Sequence, residues 1–317
     1  MSTSSKIYKL TPSLHANLWG GNKLRAYGKS SDADRIGESW EVSFVSGAEA
    51  TVCGTAISEL FPKPSWGKRA ERFEFFPVLT KFIDANEKLS VQVHPDDTYA
   101  LANEGMYGKS EMWYVVDAEP GAGLYMGFER SVSKEELRLS IENGTVEELL
   151  SFKPVKAGDV FFIPAGTVHA IGGGVLIYEI QQNSTLTYRL YDYMRRDKEG
   201  KLRELHVEKA LRVLSAEPYS YSLSDTDTGS GRIIGSCDYF TTREYKGDTL
   251  PAKITVSDGS FLSLTVVSGG GVLSFTDDNG NKSSITLEAG DTYFIPAQEV
   301  PFTFEVSGNM TLITVEV

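Results

Sequence analysis

Short runs of β-branched and aromatic residues recur along the whole chain, separated by Gly, Asp and Asn. Examples are "DVFFIPAG" at 159–166, "VLIYEIQ" at 175–181, "FLSLTVVSG" at 261–269 and "MTLITVEV" at 310–317. Each run has the length of a strand, and the residues between the runs are those that form tight turns. Many short strands with tight turns are typical of β-sandwiches and barrels. The pattern therefore predicts a mainly β protein.

Helical spacing of apolar residues is confined to three segments, which we expect to be added to the β scaffold. "SVSKEELRLSIENGTVEELLSF" contains Ser133 and Glu136 at the spacing of a capping box. "KLRELHVEKALRVLSA" at 201–216 predicts a second amphipathic helix. "HPDDTYALANEG" at 94–105 predicts a third, with Asp96 or Asp97 as its N-cap.

One segment is repeated 132 residues further along the chain. "AGDVFFIPAGTVH" begins at Ala157, "AGDTYFIPAQEVP" begins at Ala289, and eight of the thirteen aligned positions are identical. His169 of the first copy is replaced by Pro301 in the second. The repeat predicts two similar β-barrels of the jelly-roll type, the second compact and the first enlarged by insertions.

The repeat also suggests how the chain is divided. We expect a first barrel with helical insertions over residues 1–230 and a second barrel over residues 231–317. The boundary falls near "SYSLSDTDTGSGR" at 220–232, where polar turn residues concentrate. The second unit contains no histidine, so we expect it to lack a metal site and to pack against the first.

Charge and composition narrow the possible partners. The chain has 31 basic and 43 acidic side chains and a net charge of −12, which repels a phosphate backbone and argues against nucleic acid. A small anionic ligand requires a local cluster of basic groups. Two cysteines are too few for a disulfide framework, and there is no signal-peptide core or apolar run of membrane-spanning length. We expect a cytoplasmic protein that binds no membrane; the oligomeric state is left open.

His169 is the most informative of the four histidines. With Gly158, Pro164 and Gly166 it forms the pattern G-x5-P-x-G-x2-H. Two turns then flank one strand, and the histidine opens the next strand facing the interior. This spacing resembles the second signature of the cupin superfamily, whose barrel strands point metal ligands inward.

A second group of polar residues completes a candidate metal site. Gln92 and His94 alternate in "SVQVHPDD" and share one face of a strand. The first cupin signature normally reads H-x-H followed shortly by Glu, but here the carboxylate is delayed to Glu111, after the third predicted helix. One amide, two imidazoles and one carboxylate suit a borderline divalent ion such as zinc, with positions open for substrate. Gln92, His94, Glu111 and His169 thus form a candidate site for one such ion per chain.

Several longer segments together resemble one family. "LWGGNKL", "GESWEVS", "FPVLTKFIDANEKLSVQVHPDD", "GKSEMWYVV" and "EIQQNSTLTYRLYDY" occur in this order over nearly the whole chain. They resemble the type I mannose-6-phosphate isomerases, and the shorter bacterial branch of that family fits best. Gln92 and the delayed Glu111, which depart from the general cupin pattern, are features that this family shares.

The resemblance implies an enzyme of carbohydrate metabolism that interconverts mannose 6-phosphate and fructose 6-phosphate by proton transfer through a cis-enediol. It implies a zinc site at the four residues named above, an active-site arginine at Arg189 and a pocket glutamate at Glu179. Lys109, in "GKSE", stands beside the metal carboxylate and either polarises a sugar oxygen or meets the phosphate. The central helical domain of longer relatives is absent, so its phosphate contacts cannot be carried over.

Other interpretations of the same residues stay open at this point. Arg189 could pair with Asp192, Glu179 could be an exposed strand position, and Lys109 could be a solvated loop cation. For Lys81 we favour an ion pair with Asp84 and no chemical part, and for His15 and His206 surface or capping roles. The alternative to an isomerase is a non-catalytic sugar-binding cupin with a regulatory or uptake role; a metal-dependent oxygenase with two histidines and one carboxylate is a further rival.

Overall fold

A computed structural model of the chain describes residues 6–196, 199–220, 231–277 and 279–317. Within these ranges it contains 21 strands, four α-helices and a few short 3-10 turns, which confirms the prediction of a mainly β protein with a few added helices. Among the described residues, no helix is both long enough and apolar enough to cross a membrane.

The first fourteen strands precede residue 192. In chain order they are β1 Tyr8–Lys9, β2 Ser13–His15, β3 Glu38–Val42, β4 Thr51–Val52, β5 Thr55–Ala56, β6 Val78–Ala85, β7 Val91–Val93, β8 Glu111–Ala118, β9 Gly123–Phe128, β10 Leu150–Pro154, β11 Val160–Ile163, β12 His169–Ile171, β13 Val175–Gln182 and β14 Tyr188–Tyr191. The remaining seven follow residue 231: β15 Arg232–Ser236, β16 Thr241–Tyr245, β17 Ala252–Val256, β18 Leu262–Thr276, β19 Lys282–Glu288, β20 Thr292–Ile295 and β21 Phe302–Glu316.

The α-helices lie between strands of the first part of the chain. They are α1 Ile57–Leu60, α2 Asp97–Glu104, α3 Lys134–Asn143 and α4 Val207–Val213, and α2, α3 and α4 are the three predicted from the sequence. The Ser133 hydroxyl accepts from the Glu136 backbone N–H, and the Asp96 carboxylate accepts from that of Tyr99. Both N-caps satisfy a helix donor that has no partner within its helix.

The strands form three main sheets and one small hairpin. The first is six-stranded in the order β11-β8-β13-β6-β3-β2, and the second is five-stranded in the order β10-β9-β12-β7-β14. The third has eight strands, with a main path of β1-β20-β18-β21-β16-β15 to which β17 and β19 are attached. The first two sheets together form the first jelly-roll barrel, and the third curls into the second. The N-terminal strand β1 thus belongs to the sheet of the second barrel.

Strand β13 shows how the layers are arranged. All eight of its residues are buried, and they alternate between two hydrophobic cores, as a strand covered on both faces requires. Ile177 faces a core shared with Met126 of the five-stranded sheet. Tyr178 faces the opposite way, into a core shared with Phe294 of the eight-stranded sheet. The six-stranded sheet is therefore the middle layer, with the second barrel packed on its outer face.

The repeated segment adopts the same local structure in both copies. Gly158 and Gly290 both have φ +91°, a conformation that favours glycine. The Gly158 N–H donates to Val115 at 2.8 Å and the Gly290 N–H donates to Val266 at 2.8 Å. Strands β11 and β20 follow at equivalent positions. The predicted boundary loop falls largely on residues 221–230, outside the described residues, so the division at residue 230 stays a prediction.

Candidate metal centre and cavity

A cavity of about 220 Å³ lies between the six-stranded and five-stranded sheets. The register of the six-stranded sheet places Trp113, Glu179, Lys81 and Trp40 side by side in one row across β8, β13, β6 and β3. Residues directly opposite each other on neighbouring strands share a face, and this row faces the cavity. Aromatic rings and charged groups therefore alternate along one wall.

The other wall carries its own row. His169 on β12 and Arg189 on β14 both lie directly opposite Gln92 on β7. His94 follows β7 by one residue, and Glu111 opens β8 in the facing sheet. Strands β7, β8, β12 and β14 and the residue that follows β7 thus bring these side chains together. They are up to 97 positions apart in the chain, from Gln92 to Arg189.

His94, Glu111 and His169 form a compact and fully buried cluster. One ligand atom from each lies within 4.8 Å of the other two. His169 Nε2 is 3.1 Å from Glu111 Oε1, and His94 Nε2 is 3.8 Å from Glu111 Oε2. Gln92 Nε2 lies 3.4 Å from His169 Nε2. A half-turn of this amide would present Oε1, the usual ligand atom, toward the same centre.

Backbone carbonyls fix how both imidazoles are presented. His94 Nδ1 lies 2.7 Å from the Leu186 carbonyl and His169 Nδ1 lies 2.9 Å from the Thr167 carbonyl. A carbonyl only accepts, so each Nδ1 carries the proton and donates. Each Nε2 is left with a lone pair that points toward Glu111, which is the arrangement that outer-shell partners impose on metal-binding histidines.

The cluster fits a metal ion on evidence from the chain itself. Among the described residues, His94 Nε2 is buried without a hydrogen-bond partner, and the buried Glu111 carboxylate oxygens have only the charged Lys109 and the two histidines beside them. Buried polar atoms are nearly always satisfied, because leaving them unpaired costs free energy. A cation between these atoms would satisfy them together, and two neutral imidazoles with one carboxylate are donors that suit zinc. The structure thus contains a candidate metal site at His94, Glu111 and His169.

Two lysines and two glutamates continue from this cluster into the cavity. Lys109 Nζ is 2.8 Å from Glu111 Oε2 and 3.7 Å from Glu179 Oε1. Lys81 Nζ is 3.6 Å from Glu179 Oε2 and 3.4 Å from a carboxylate oxygen of Glu38. Glu179 is also held by the Trp113 indole N–H, which donates to Oε1 at 2.9 Å. Each lysine therefore bridges two carboxylates, of which Glu111 and Glu179 are buried and Glu38 is half-buried.

The pKa values of the two glutamates nearest the site are shifted in opposite directions, although burial alone would raise both. Burial, with help from the charge of Glu111, raises the pKa of Glu179 despite the opposing effect of Lys109. For Glu111, burial would raise the pKa, but Lys109, His169 and His94 together lower it well below its usual value. Burial and the charge of Lys109 also lower the pKa of His94 well below its usual value. Glu111 and His94 are thus in the protonation states that a metal requires.

Arg189 lines the cavity. Its Nε donates to the Ser90 hydroxyl at 3.3 Å and its Nη1 donates to the Glu204 carbonyl at 2.9 Å. Asp192, the ion-pair partner considered above, is instead within ion-pair distance of Arg195 and Arg203. The guanidinium group is therefore fixed by neutral acceptors, and within the part of the chain that the structure describes no carboxylate lies within ion-pair distance of it.

The structure corrects one interpretation and adds residues that sequence reasoning missed. Lys81 does not pair with Asp84, because the two are three positions apart in β6 and point to opposite faces; Asp84 accepts from the Lys23 backbone N–H at 2.7 Å. Lys81 lies in the cavity instead. Glu38 and Trp40 were missed although they alternate in "GESWEVS", a segment that carried the family resemblance. Arg203 was missed because the pattern of residues 201–216 predicts a single amphipathic helix, whereas α4 begins only at Val207 and leaves Arg203 in the segment before it.

The other two histidines lie outside the metal cluster. The His15 ring packs against the Trp40 ring in a tilted arrangement, with the ring centroids 4.4 Å apart. His206 is the N-cap residue of α4, and its Nδ1 accepts from the Arg189 backbone N–H at 3.3 Å. His206 thus has the capping position expected for it, and it also helps to hold the strand end that carries Arg189.

Comparison with known families gives two matches that do not overlap. The model of the phosphomannose isomerase type I catalytic domain matches residues 7–121, and the model of the mannose-6-phosphate isomerase cupin domain matches residues 232–317. A mannose-6-phosphate isomerase of Streptococcus mutans serotype c is 37% identical over 316 residues, covering 96% of each chain. The mannose-6-phosphate isomerase ManA of Bacillus subtilis (strain 168) is 43% identical over 287 residues, covering 86% of this chain and 88% of its own length.

Solved structures are similar over the whole fold. A mannose 6-phosphate isomerase from Bacillus subtilis has a TM-score of 0.87 at 33% identity, covering 99% of this chain and 100% of that chain. A zinc-bound mannose 6-phosphate isomerase has a TM-score of 0.74 at 16% identity, covering 98% of this chain and 99% of that chain. At that lower identity the likeness concerns the fold.

Proposed function

The chain belongs to the type I phosphomannose isomerase family, and we propose which role each cavity residue has in the isomerisation of mannose 6-phosphate to fructose 6-phosphate. The protein is a mannose-6-phosphate isomerase, an enzyme that moves a proton between C1 and C2 of a sugar phosphate. The observation that carries the assignment of roles is the position of Glu179 between Lys109 and Lys81, next to the metal cluster.

His94, Glu111, His169 and the Gln92 amide would hold one zinc ion per chain. When bound, the ion would act as a Lewis acid that polarises the adjacent oxygens at C1 and C2 of the open-chain sugar. The support is the donor set, the orphaned and buried ligand atoms and the two backbone carbonyls that aim the imidazoles inward.

Glu179 is the general base. Its Oε1 is held by Trp113, whereas among the described residues its Oε2 accepts no hydrogen bond. The free oxygen takes the proton from C2 of mannose 6-phosphate. The C–H electron pair then becomes the C1–C2 double bond, and the carbonyl oxygen at C1 becomes an enediolate oxygen. Transfer of the O2 proton to this oxygen and return of the proton from Glu179 to C1 leave a carbonyl at C2, which gives fructose 6-phosphate. A raised pKa of Glu179 brings this carboxylate closer to the operating pH, which favours reversible proton transfer.

Lys109 and Arg189 stabilise the negative charge that develops on the enediol oxygens. Lys109 lies between the metal carboxylate and the base, so it reaches the same end of the sugar as the reacting carbons. Arg189 keeps its proton under all ordinary conditions and presents a planar group of donors. Charged donors fixed before the reaction begins need no rearrangement in the transition state.

The second barrel supports the first without contributing to the chemistry. We place the catalytic barrel at residues 1–230 and the barrel without a metal site at residues 231–317. The cavity-lining residues lie between Asn17 and Arg203. The outer face of the middle sheet needs the second barrel as its cover, because Phe82 and Tyr178 point into the shared core. The second copy of the repeat has Pro301 where the first has His169. The second barrel therefore keeps the structural role of the repeat without a metal ligand.

The decisive experiment follows turnover and proton exchange together. Metal-loaded enzyme is incubated with mannose 6-phosphate in deuterated water, and the fructose 6-phosphate formed is examined by NMR for deuterium at C1. We expect some incorporation, because a base that shuttles the proton exchanges with solvent. Glu179→Gln should reduce turnover and exchange together by about 100- to 10,000-fold, since the amide cannot accept the proton.

The control is Glu38→Gln, which removes the other carboxylate beside Lys81 and should cost much less activity. Both variants must retain the metal content of the wild type. Full activity in Glu179→Gln would exclude this residue as the base. A wild-type protein that binds the sugar phosphate but forms no ketose would favour the alternative of a sugar-binding module.

A further inference from the structure

The short segment 108–110, which lies between α2 and β8, places Lys109 and leads directly into Glu111. Each of its three backbone N–H groups donates a hydrogen bond. The acceptors, in chain order, are Asp97 Oδ1 at 2.8 Å, the Pro95 carbonyl at 3.0 Å and Gln182 Oε1 at 2.7 Å. Because three consecutive donors are held from outside, the segment cannot shift without breaking several hydrogen bonds at once.

Two of these acceptors are joined to each other. The Gln182 side chain donates through Nε2 to Asp97 Oδ1 at 3.0 Å, and this is the same oxygen that accepts from Gly108. The Gln182 backbone N–H donates to the Ser110 carbonyl at 3.1 Å, so Gln182 and Ser110 are paired in both directions. One carboxylate oxygen therefore connects the end of β13 to the segment that leads into the metal ligand.

The start of α2 does not depend on the carboxylate of Asp97 for its cap. Asp96 is the N-cap residue, and its side chain accepts from the Tyr99 N–H. The backbone at this helix start packs directly on the segment, because a methyl carbon added to Gly108 would lie 2.5 Å from the Asp96 carbonyl carbon. With no side chain between the two pieces of backbone, a displacement of the helix start would also displace Lys109.

The second barrel reaches the other oxygen of the same carboxylate. Tyr239, in the loop between β15 and β16, donates its hydroxyl hydrogen to Asp97 Oδ2 at 3.0 Å. The Tyr239 ring packs against the rings of Phe73 and Tyr107, with the ring centroids 4.7 Å and 5.2 Å apart. Hydrogen bonds to a charged group are stronger than those between neutral groups. One side chain of the second barrel thus fixes the orientation of this carboxylate.

We propose that Asp97 is a positioning residue for Glu111 and Lys109. Tyr239 of the second barrel holds Asp97 in place. The proposal rests on the roles proposed above for the metal ligand and the lysine. Asp97 and Tyr239 both lie outside the set of residues that line the cavity, so they act through the segment 108–110. Groups behind metal ligands commonly tune the affinity for the ion, and a site whose supporting contacts are loose loses activity.

The test measures metal affinity as well as turnover. Metal-free wild type, Asp97→Ala and Tyr239→Phe are titrated with Zn²⁺ in competition with a chelating dye. We expect Asp97→Ala to bind Zn²⁺ about 10- to 100-fold more weakly, and Tyr239→Phe about 3- to 10-fold more weakly, as for the loss of one hydrogen bond. The visible absorption of the Co²⁺-loaded variants should change, because it reports the arrangement of the ligands. At saturating Zn²⁺, kcat for mannose 6-phosphate should fall while KM stays close to the wild-type value, as when transition-state contacts are displaced.

Two further variants separate positioning from general stability. Thr265→Val is the matched control, because the Thr265 hydroxyl also bonds across the two barrels, to the Tyr178 hydroxyl at 2.8 Å, but does so at the outer face of the middle sheet. This variant should keep the Zn²⁺ affinity and the Co²⁺ spectrum of the wild type even if urea unfolds it more easily. Asp97→Asn should recover most of the affinity, because its amide still offers an oxygen to Gly108 and an N–H to Tyr239.

Three results would overturn the proposal: wild-type Zn²⁺ affinity in Asp97→Ala, an unchanged affinity and spectrum in Tyr239→Phe, or the same loss of affinity in Thr265→Val. If Asp97→Ala does not fold, Tyr239→Phe decides, since it removes one hydroxyl and keeps the ring. A wild type that binds Zn²⁺ but forms no ketose would reject the mechanism proposed above, whereas the affinities of the variants would still decide the positioning role of Asp97.

Discussion

The two copies of the repeat allow one substitution to be made twice in the same backbone conformation. Gly158 and Gly290 have the same φ of +91° and make equivalent backbone hydrogen bonds. We consider the replacement of each by alanine. Their surroundings differ: a methyl carbon added to Gly290 would lie 2.1 Å from the Tyr27 carbonyl oxygen, whereas one added to Gly158 would meet nothing closer than 3.9 Å.

The expected magnitudes follow from these distances. Alanine at either position must adopt a backbone conformation that side chains rarely occupy, at a cost of about 1–3 kcal/mol. That term is common to both variants. Gly290→Ala adds a clash with a backbone atom that has little freedom to move, and overpacking of this kind costs about 1–3 kcal/mol more. The difference in unfolding free energy between the two variants therefore measures the cost of the clash between residue 290 and the Tyr27 carbonyl.

Thermal and urea unfolding of both variants, followed by circular dichroism, measures the difference. Gly290→Ala should unfold several degrees below Gly158→Ala, and Gly158→Ala should itself unfold below the wild type. Metal content and turnover of the folded variants serve as a check that the site is intact. Equal stability of the two variants would refute the reasoning, because it would mean that the close approach of Tyr27 has no energetic consequence.

Three further predictions concern the cavity. Purified protein should carry about one divalent ion per chain and His169→Ala should lose most of it, since even changes outside the ligand set can lower affinity by about 10- to 100-fold; elemental analysis that finds two ions, or unchanged content in the variant, would contradict a single site. Arg189→Ala should keep its metal and fold but lose about a hundredfold or more in kcat, and Arg189→Lys should rescue poorly; a fully active but thermally weakened variant would make the residue structural. Lys81→Met should lower both turnover and unfolding temperature, because removing one partner of a buried ion pair costs about 3–5 kcal/mol; unchanged stability would show that Glu38 and Glu179 do not depend on this lysine.

The metal cluster could be predicted because its signals are local. His169 stands at a fixed distance from two turns, and Gln92 and His94 alternate within three residues. Strand alternation alone then decides which side chains face inward. The same rule would have placed Lys81 and Asp84 on opposite faces, had residues 78–85 been recognised as a strand. Nearness in the sequence suggested the wrong partner.

The position of Arg203 beside the cavity could not be predicted, because the helical pattern of residues 201–216 extends beyond the helix that forms, which begins at Val207. Arg203 reaches the cavity from an irregular segment before α4, and its carboxylate partner Asp192 lies eleven residues earlier. The cross-strand rows depend on register, which is set by long-range pairing between strands such as β13 and β6. The pattern of a single strand indicates which residues share a face but does not show which residues lie beside them on the next strand.

The pairing of β1 with β20 has a consequence for synthesis on the ribosome. Tyr8 pairs with Phe294, so the earlier strand must wait until a strand much later in the chain has been synthesised. At about 5–20 residues per second, the intervening chain takes roughly 15–60 s to emerge. During that interval the outer face of the middle sheet, with Phe82 and Tyr178, has no cover from the second barrel. Nascent chains truncated before residue 292 should therefore bind chaperones that recognise apolar surface, and full-length chains should be released from them.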